Sequence, residues 1–207
     1  MTRTCRDSLE WTLHGTDVLI AHVRKLDEAE LSAPSALPGW TRKHVVAHVA
    51  ANADALNNLV RWARTGVRTP MYASTEQRNA DIEAGAQRPA AELRTWLGES
   101  ALELADGLDS LTDEQLRAEV QTAQGRTVPA TEIPWLRARE VCVHAVDLGT
   151  GVSFDDLPEQ FLQALVADIR IKRGLDEIPD GPLADRAAYL AGRPHSLSNV
   201  VELGPWL

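Results

Sequence analysis

The chain has 207 residues, 44% of them hydrophobic and 25% charged, a balance that supports a globular fold with a real core. Lysine and arginine number 21 against 30 aspartates and glutamates, a formal net charge of −9 with no basic run to offset it, which argues against nucleic-acid binding. Two cysteines, Cys5 and Cys142, cannot build a disulfide framework, and no apolar run approaches ~18 residues, so a cytoplasmic protein away from membranes is predicted.

Helix signals dominate. Phenylalanine and tyrosine number two each, alternating Val/Ile/Thr runs are nearly absent, and Ala, Leu, Glu and Arg prevail. A first helix is predicted over 7–26, with Leu9, Leu13, Val18, Leu19 and Val23 among its apolar positions. Residues 32–39, with Pro34, Pro38 and Gly39, form a connection. Thr41 then serves as N-cap of a long helix that Gly66 closes. Ser74 and Gln77 have capping-box spacing before a shorter helix, as do Thr112 and Gln115 further on, and Pro89 opens a helix over 90–108. Residues 120–131 read as a loop or short hairpin; Pro134 introduces a helix over 135–148, stopped by Gly149 and Gly151, and another spans 159–173. Closely spaced Pro179, Gly181, Pro182, Gly192, Pro194 and Gly204 predict an irregular tail. The expected architecture is mainly α: a helical bundle over 1–150 and a small α/β appendage over 151–207.

Two helices carry candidate chemistry. In the helix after Thr41, the stripe Val45, Val49, Leu56, Leu59 and Ala63 contains His48 and Asn52. At 100° per residue, His48 lies about 60° from Val45, so a titratable ring aims at the bundle interior, either as a hydrogen-bonded core histidine or as a metal ligand. His44, one turn earlier, lies about 100° from Val45 and is the weaker candidate. In helix 135–148, Glu140 and His144 are one turn apart, with Arg137 and Asp147 beside them. A Glu-x-x-x-His pair can offer an oxygen and a nitrogen to one cation, or it can sit on an ordinary polar stripe. Cys142 points about 200° from Glu140 and reads as packing. His48, Glu140 and His144 together would supply three ligands and leave a position open, the pattern of a catalytic zinc. Trp40 and Trp135, at the entries of the two helices, read as packing residues.

The run Leu37-Pro-Gly-Trp-Thr-Arg-Lys-His-Val-Val-Ala-His48 resembles the entry to the metal-bearing helix of the mycothiol-dependent maleylpyruvate isomerase family, whose bundle is DinB-like with four helices. Ala138-Arg-Glu-Val-Cys-Val-His-Ala-Val-Asp-Leu-Gly149 resembles its second metal helix, and Tyr189-Leu-Ala-Gly-Arg193 with Pro205-Trp-Leu207 the end of its C-terminal domain. The resemblance implies zinc on His48, Glu140 and His144, mycothiol as thiol cosubstrate, and a part in isomerisation for Arg193. It implies cis–trans isomerisation of maleylpyruvate to fumarylpyruvate, a step of aromatic degradation through gentisate. A guanidinium suits a dicarboxylate substrate because it binds carboxylates through two points, a role Arg137 or Arg139 could also fill. The middle of the chain, about 67–130, carries no motif.

Such a site holds a thiol as its thiolate near neutral pH. Thiolate addition to the conjugated cis double bond, rotation about the resulting single bond and elimination give the trans alkene. Two alternatives remain at the level of sequence: an S-transferase that conjugates the thiol to another electrophile, and a metal-free helical binding protein. The electrophile, the thiol and the oligomeric state stay open.

Overall fold

A computed structural model describes residues 3–204 and residue 206. Four long helices make the bundle: α1 (Cys5–Lys25), α3 (Arg42–Thr65), α5 (Ala90–Asp109) and α7 (Ile133–Asp147). Shorter helices α2 (Glu28–Ser32), α4 (Thr75–Ala86) and α6 (Asp113–Leu116) lie in the connections, and α8 (Glu159–Arg173) and α9 (Leu183–Leu190) follow the bundle. A two-stranded antiparallel hairpin, β1 (Glu119–Gln121) and β2 (Thr127–Pro129), pairs Val120 with Val128 just before α7.

The helix ends obey their local sequences. Thr4 and Asp7 close a reciprocal capping box on α1, as Thr112 and Gln115 do on α6. Ser74 accepts from the backbone of Gln77 at the start of α4. Gly66 ends α3 at φ 70°, a left-handed conformation that glycine adopts without a Cβ penalty.

Packing then sets the positions. Trp11 meets Trp135 and Phe161 edge to face, and those two meet at a tilt, with all centroids 5.8–5.9 Å apart, joining α1, α7 and α8. A Cβ on Gly15 would stand 2.6 Å from the Cys142 sulfur, so glycine is what lets α1 approach α7 so closely. The connection before α3 fixes the register of the two helices that matter for chemistry. Ala36 donates its N–H to the carbonyl of Asp147 at 2.9 Å, and Arg42 bonds the carbonyls of Leu148, Glu30 and Gly149 at 2.8, 2.9 and 3.3 Å. The residues that flank the Leu-Pro-Gly-Trp-Thr stretch, Ala36 and Arg42, therefore tie the start of α3 to the end of α7.

The segment after residue 150 packs against the bundle. Among the described residues it holds helices α8 and α9 and a 3-10 turn, and no strand. The physical reason lies in composition: residues 183–190 read Leu-Ala-Asp-Arg-Ala-Ala-Tyr-Leu, rich in helix formers and behind a proline suited to a helix start. Its buried face, including Ala187, Ala188 and Leu190, shares one core with α1, α3 and α7. Pro205 and Leu207, part of the tail resemblance, lie outside the described residues, as do Met1 and Thr2.

Candidate metal centre

His48 on α3 and Glu140 and His144 on α7 converge. Nε2 of His48 lies 2.9 Å from Oε2 of Glu140, and Nε2 of His144 lies 3.3 Å from the same oxygen. The two imidazole rings stand 4.8 Å apart and nearly perpendicular. One ligand atom from each residue falls within 4.8 Å of the others. Two ligands on a tetrahedral ion at about 2.0–2.1 Å stand roughly 3.3 Å apart, so the cluster has the span of a metal site.

Three further observations fit a cation. Nε2 of His144 is buried and, among the described residues, has no hydrogen-bond partner, an arrangement that costs free energy unless something binds it. Its Nδ1 lies 2.8 Å from Oδ2 of Asp147, which holds a proton on Nδ1 and aims Nε2 toward Glu140. The donor set, two imidazoles and a carboxylate with a cavity beside them, suits zinc or a similar divalent ion.

The electrostatics of the bare cluster are those of a crowded, buried set. Burial lowers the readiness of His48 to take a proton and holds its pKa below the usual value, despite Glu140 beside it. For His144, burial acts in the same direction, but Asp147 and Glu140 outweigh it and push the ring up to about 9. Burial alone would raise Glu140; the close approach and charge of His144 and His48 hold it well below the ordinary carboxylate range.

Asp147 has a second partner. Arg193 donates Nε to Oδ1 at 2.9 Å and one terminal nitrogen to Oδ2 at 2.8 Å, while its other terminal nitrogen bonds the carbonyl of Ala191 at 2.6 Å. All of these groups are buried. The structure thus connects Arg193 to His144 through one carboxylate. His48 and Glu140 border a cavity of about 340 Å³ with Asn52, Tyr72, Arg78 and Arg139. Arg193 and Asp147 border another, of about 390 Å³, that shares no lining residue with the first.

The remaining sequence candidates fall into place around the cluster. His44 is used at its own helix start, where Nδ1 accepts from the backbone of Thr41 at 3.2 Å, and Trp40 stacks on it while meeting the His48 ring edge-on. Arg137 is fully buried and donates to the carbonyl of Val49 and to Asn52, which ties α7 to α3. Arg139 pairs with Asp168 at 3.3 Å and lies over Trp206. Cys142 is buried against α1, and burial pushes its thiol up, away from reactivity. Tyr72 and Arg78, unmarked in the sequence, complete the cavity wall; burial drives the Tyr72 hydroxyl up to about 12, so it stays a donor. No local pattern points to either residue, because both come from the connection and helix between residues 66 and 86.

Fold and site define a helical bundle with a His–Glu–His centre opening onto a small polar cavity. The profile of the family described as mycothiol maleylpyruvate isomerase N-terminal domain matches residues 12–149, and the chain belongs to that family. The crystal structure of the mycothiol-dependent maleylpyruvate isomerase superposes with a TM-score of 0.91 at 37% identity, covering 100% of both chains. A histidine-to-alanine mutant of a mycothiol-dependent maleylpyruvate isomerase gives 0.90 at 36%, again over 100% of each. No curated protein matches by sequence.

Proposed function

We propose that this protein is a zinc- and mycothiol-dependent isomerase that converts maleylpyruvate to fumarylpyruvate, a step in gentisate breakdown. The reading is carried by the His48–Glu140–His144 cluster, whose buried imidazole nitrogen, unpartnered among the described residues, faces the carboxylate, in a chain similar over its full length to the mycothiol-dependent maleylpyruvate isomerase. Zinc bound by these three residues would keep a thiol deprotonated near neutral pH.

The chain's own residues have separable tasks. His48 and His144 supply nitrogens and Glu140 an oxygen, and the negative charge of Glu140 offsets part of the ion's charge in a buried setting. Asp147 holds the Nδ1 proton of His144, which keeps Nε2 free as a ligand. Arg193 holds Asp147 by a two-point contact and neutralises its buried charge, so its part in the reaction runs through His144. Asn52 and the Tyr72 hydroxyl give the cavity neutral polar groups that can hydrogen-bond a substrate. The reaction needs only one such pocket: the thiol adds to the double bond, the adduct turns about its single bond, and elimination returns the thiol.

The test is turnover of maleylpyruvate with and without mycothiol, with the thiol counted. An isomerase regenerates it and forms fumarylpyruvate; stoichiometric consumption would replace this reading with S-transfer. Absence of zinc from protein purified without a tag, with full activity retained, would remove the metal from it.

A further inference from the structure

Resting on the isomerase reading, we infer that Arg78 is the residue that binds the carboxylate of the electrophilic substrate. Maleylpyruvate is a dianion at neutral pH, whereas mycothiol has no carboxylate. A cavity that accepts the former needs a cation with uncommitted donors. The bundle offers four arginines near the centre, and their partners separate them.

Arg193 is doubly engaged by Asp147 and borders the other cavity. Arg137 is locked between α7 and α3 by Val49 and Asn52. Arg139 lines the cavity but pairs with Asp168 and is held over Trp135 and Trp206 at 5.9 and 4.9 Å. Arg78, on α4, is half-buried in the same cavity wall, and among the described residues no carboxylate pairs with it. Its contacts are neutral: Asn79 at 3.2 Å, the Nδ1 of His48 at 3.3 Å, and the face of Tyr72 with the guanidinium carbon 5.8 Å from the ring centre. A neutral His48 with a cation at Nε2 carries its proton at Nδ1, which offers Arg78 no acceptor. The guanidinium is then left facing the cavity with its planar edge available for a two-point contact.

Location makes the contact useful as well as possible. A nitrogen 3.3 Å from one histidine of the cluster anchors a carboxylate beside the place where the thiol would be held. The clamp would fix the substrate's alkene within reach of the sulfur, which is a gain in orientation. Tyr72 lies against the same guanidinium and supports its orientation.

The experiment uses the zinc-loaded protein without thiol and titrates it calorimetrically with maleate, a dicarboxylate that cannot turn over there, and with neutral maleamide as control. Wild type should bind maleate; Arg78→Ala should weaken it by about 10- to 100-fold at unchanged zinc content, and Arg78→Lys should recover part of the loss. Maleamide binding should not depend on residue 78. In turnover, the KM for maleylpyruvate should rise in Arg78→Ala while the KM for mycothiol stays near wild type. Equal maleate affinity in wild type and Arg78→Ala would overturn the inference. So would a loss confined to Arg139→Gln, or the absence of maleate binding to wild type at millimolar concentration. Maleate binding that depends on Arg78 in a protein that does not isomerise maleylpyruvate would refute the isomerase reading and leave the carboxylate site standing.

Discussion

The two imidazoles of the centre have opposite surroundings. The outer nitrogen of His144 meets a carboxylate, Asp147, which a buried arginine grips in turn. The outer nitrogen of His48 meets a half-buried guanidinium that, among the described residues, has no carboxylate behind it. One side of the cluster is a closed chain of ion pairs within the core; the other opens onto the cavity through a group that can change partners. The difference teaches that the proposed metal centre would not be uniformly rigid: one imidazole is locked in orientation, and the other stands beside the cavity.

The strongest way to break this comparison is to remove the locked ligand. His144→Ala should leave two ligands, too few for tight zinc binding, and should lower activity by at least about 10³-fold; metal analysis beside steady-state rates checks both. Asp147→Ala comes next. It frees the tautomer of His144 and strands the buried charge of Arg193, so zinc affinity should fall by about 10- to 100-fold, as competition with a chelating indicator will show. Arg193→Ala should act in the same direction more weakly, lowering zinc affinity as well as kcat, with Arg193→Lys intermediate. A normal affinity with a reduced kcat would instead assign Arg193 directly to the substrate.

A milder perturbation is pH. The pKa of His144 in the metal-free protein is raised to about 9, so below that value a proton must leave Nε2 before an ion can enter. Zinc affinity should therefore rise by about tenfold per pH unit from pH 7 toward 9, with one proton released per ion. A flat profile from pH 7 to 8.5 would show that His144 is already neutral. The smallest effect belongs to Cys142→Ala. The side chain is buried against Gly15 and its thiol is inert, so activity with added thiol should stay near wild type at a stability cost on the order of 1 kcal/mol, read by chemical denaturation.

Much of this arrangement was legible in the sequence, and the gaps have physical causes. The inward phase of His48 and the one-turn spacing of Glu140 and His144 are properties of single helices, and they survive in the structure unchanged. The facing of α3 and α7 is not such a property; it is imposed by the connection that bonds to Asp147, Leu148 and Gly149. Arg78 escaped notice because α4 is polar on most of its surface, and its placement depends on packing, with Gly85 set tightly against Ala47 and Trp96. The link from Arg193 to Asp147 crosses 46 residues and leaves no periodic trace. The helix over 183–190 was masked by the prolines and glycines that bracket it, although its own eight residues favour it.

Arg42 joins the two candidate ligand-bearing helices directly. Its guanidinium bonds three carbonyls, on Glu30, Leu148 and Gly149, so the start of one ligand-bearing helix caps the end of the other without any help from an ion. A metal that enters such a frame has little ordering entropy to overcome, and one that leaves does not take the fold with it. That would set the protein apart from small zinc domains that unfold when stripped. Chelation should yield a folded apoprotein that can be reloaded with zinc, cobalt or manganese in turn, so the ion becomes a replaceable part whose chemistry can be compared on one fixed scaffold.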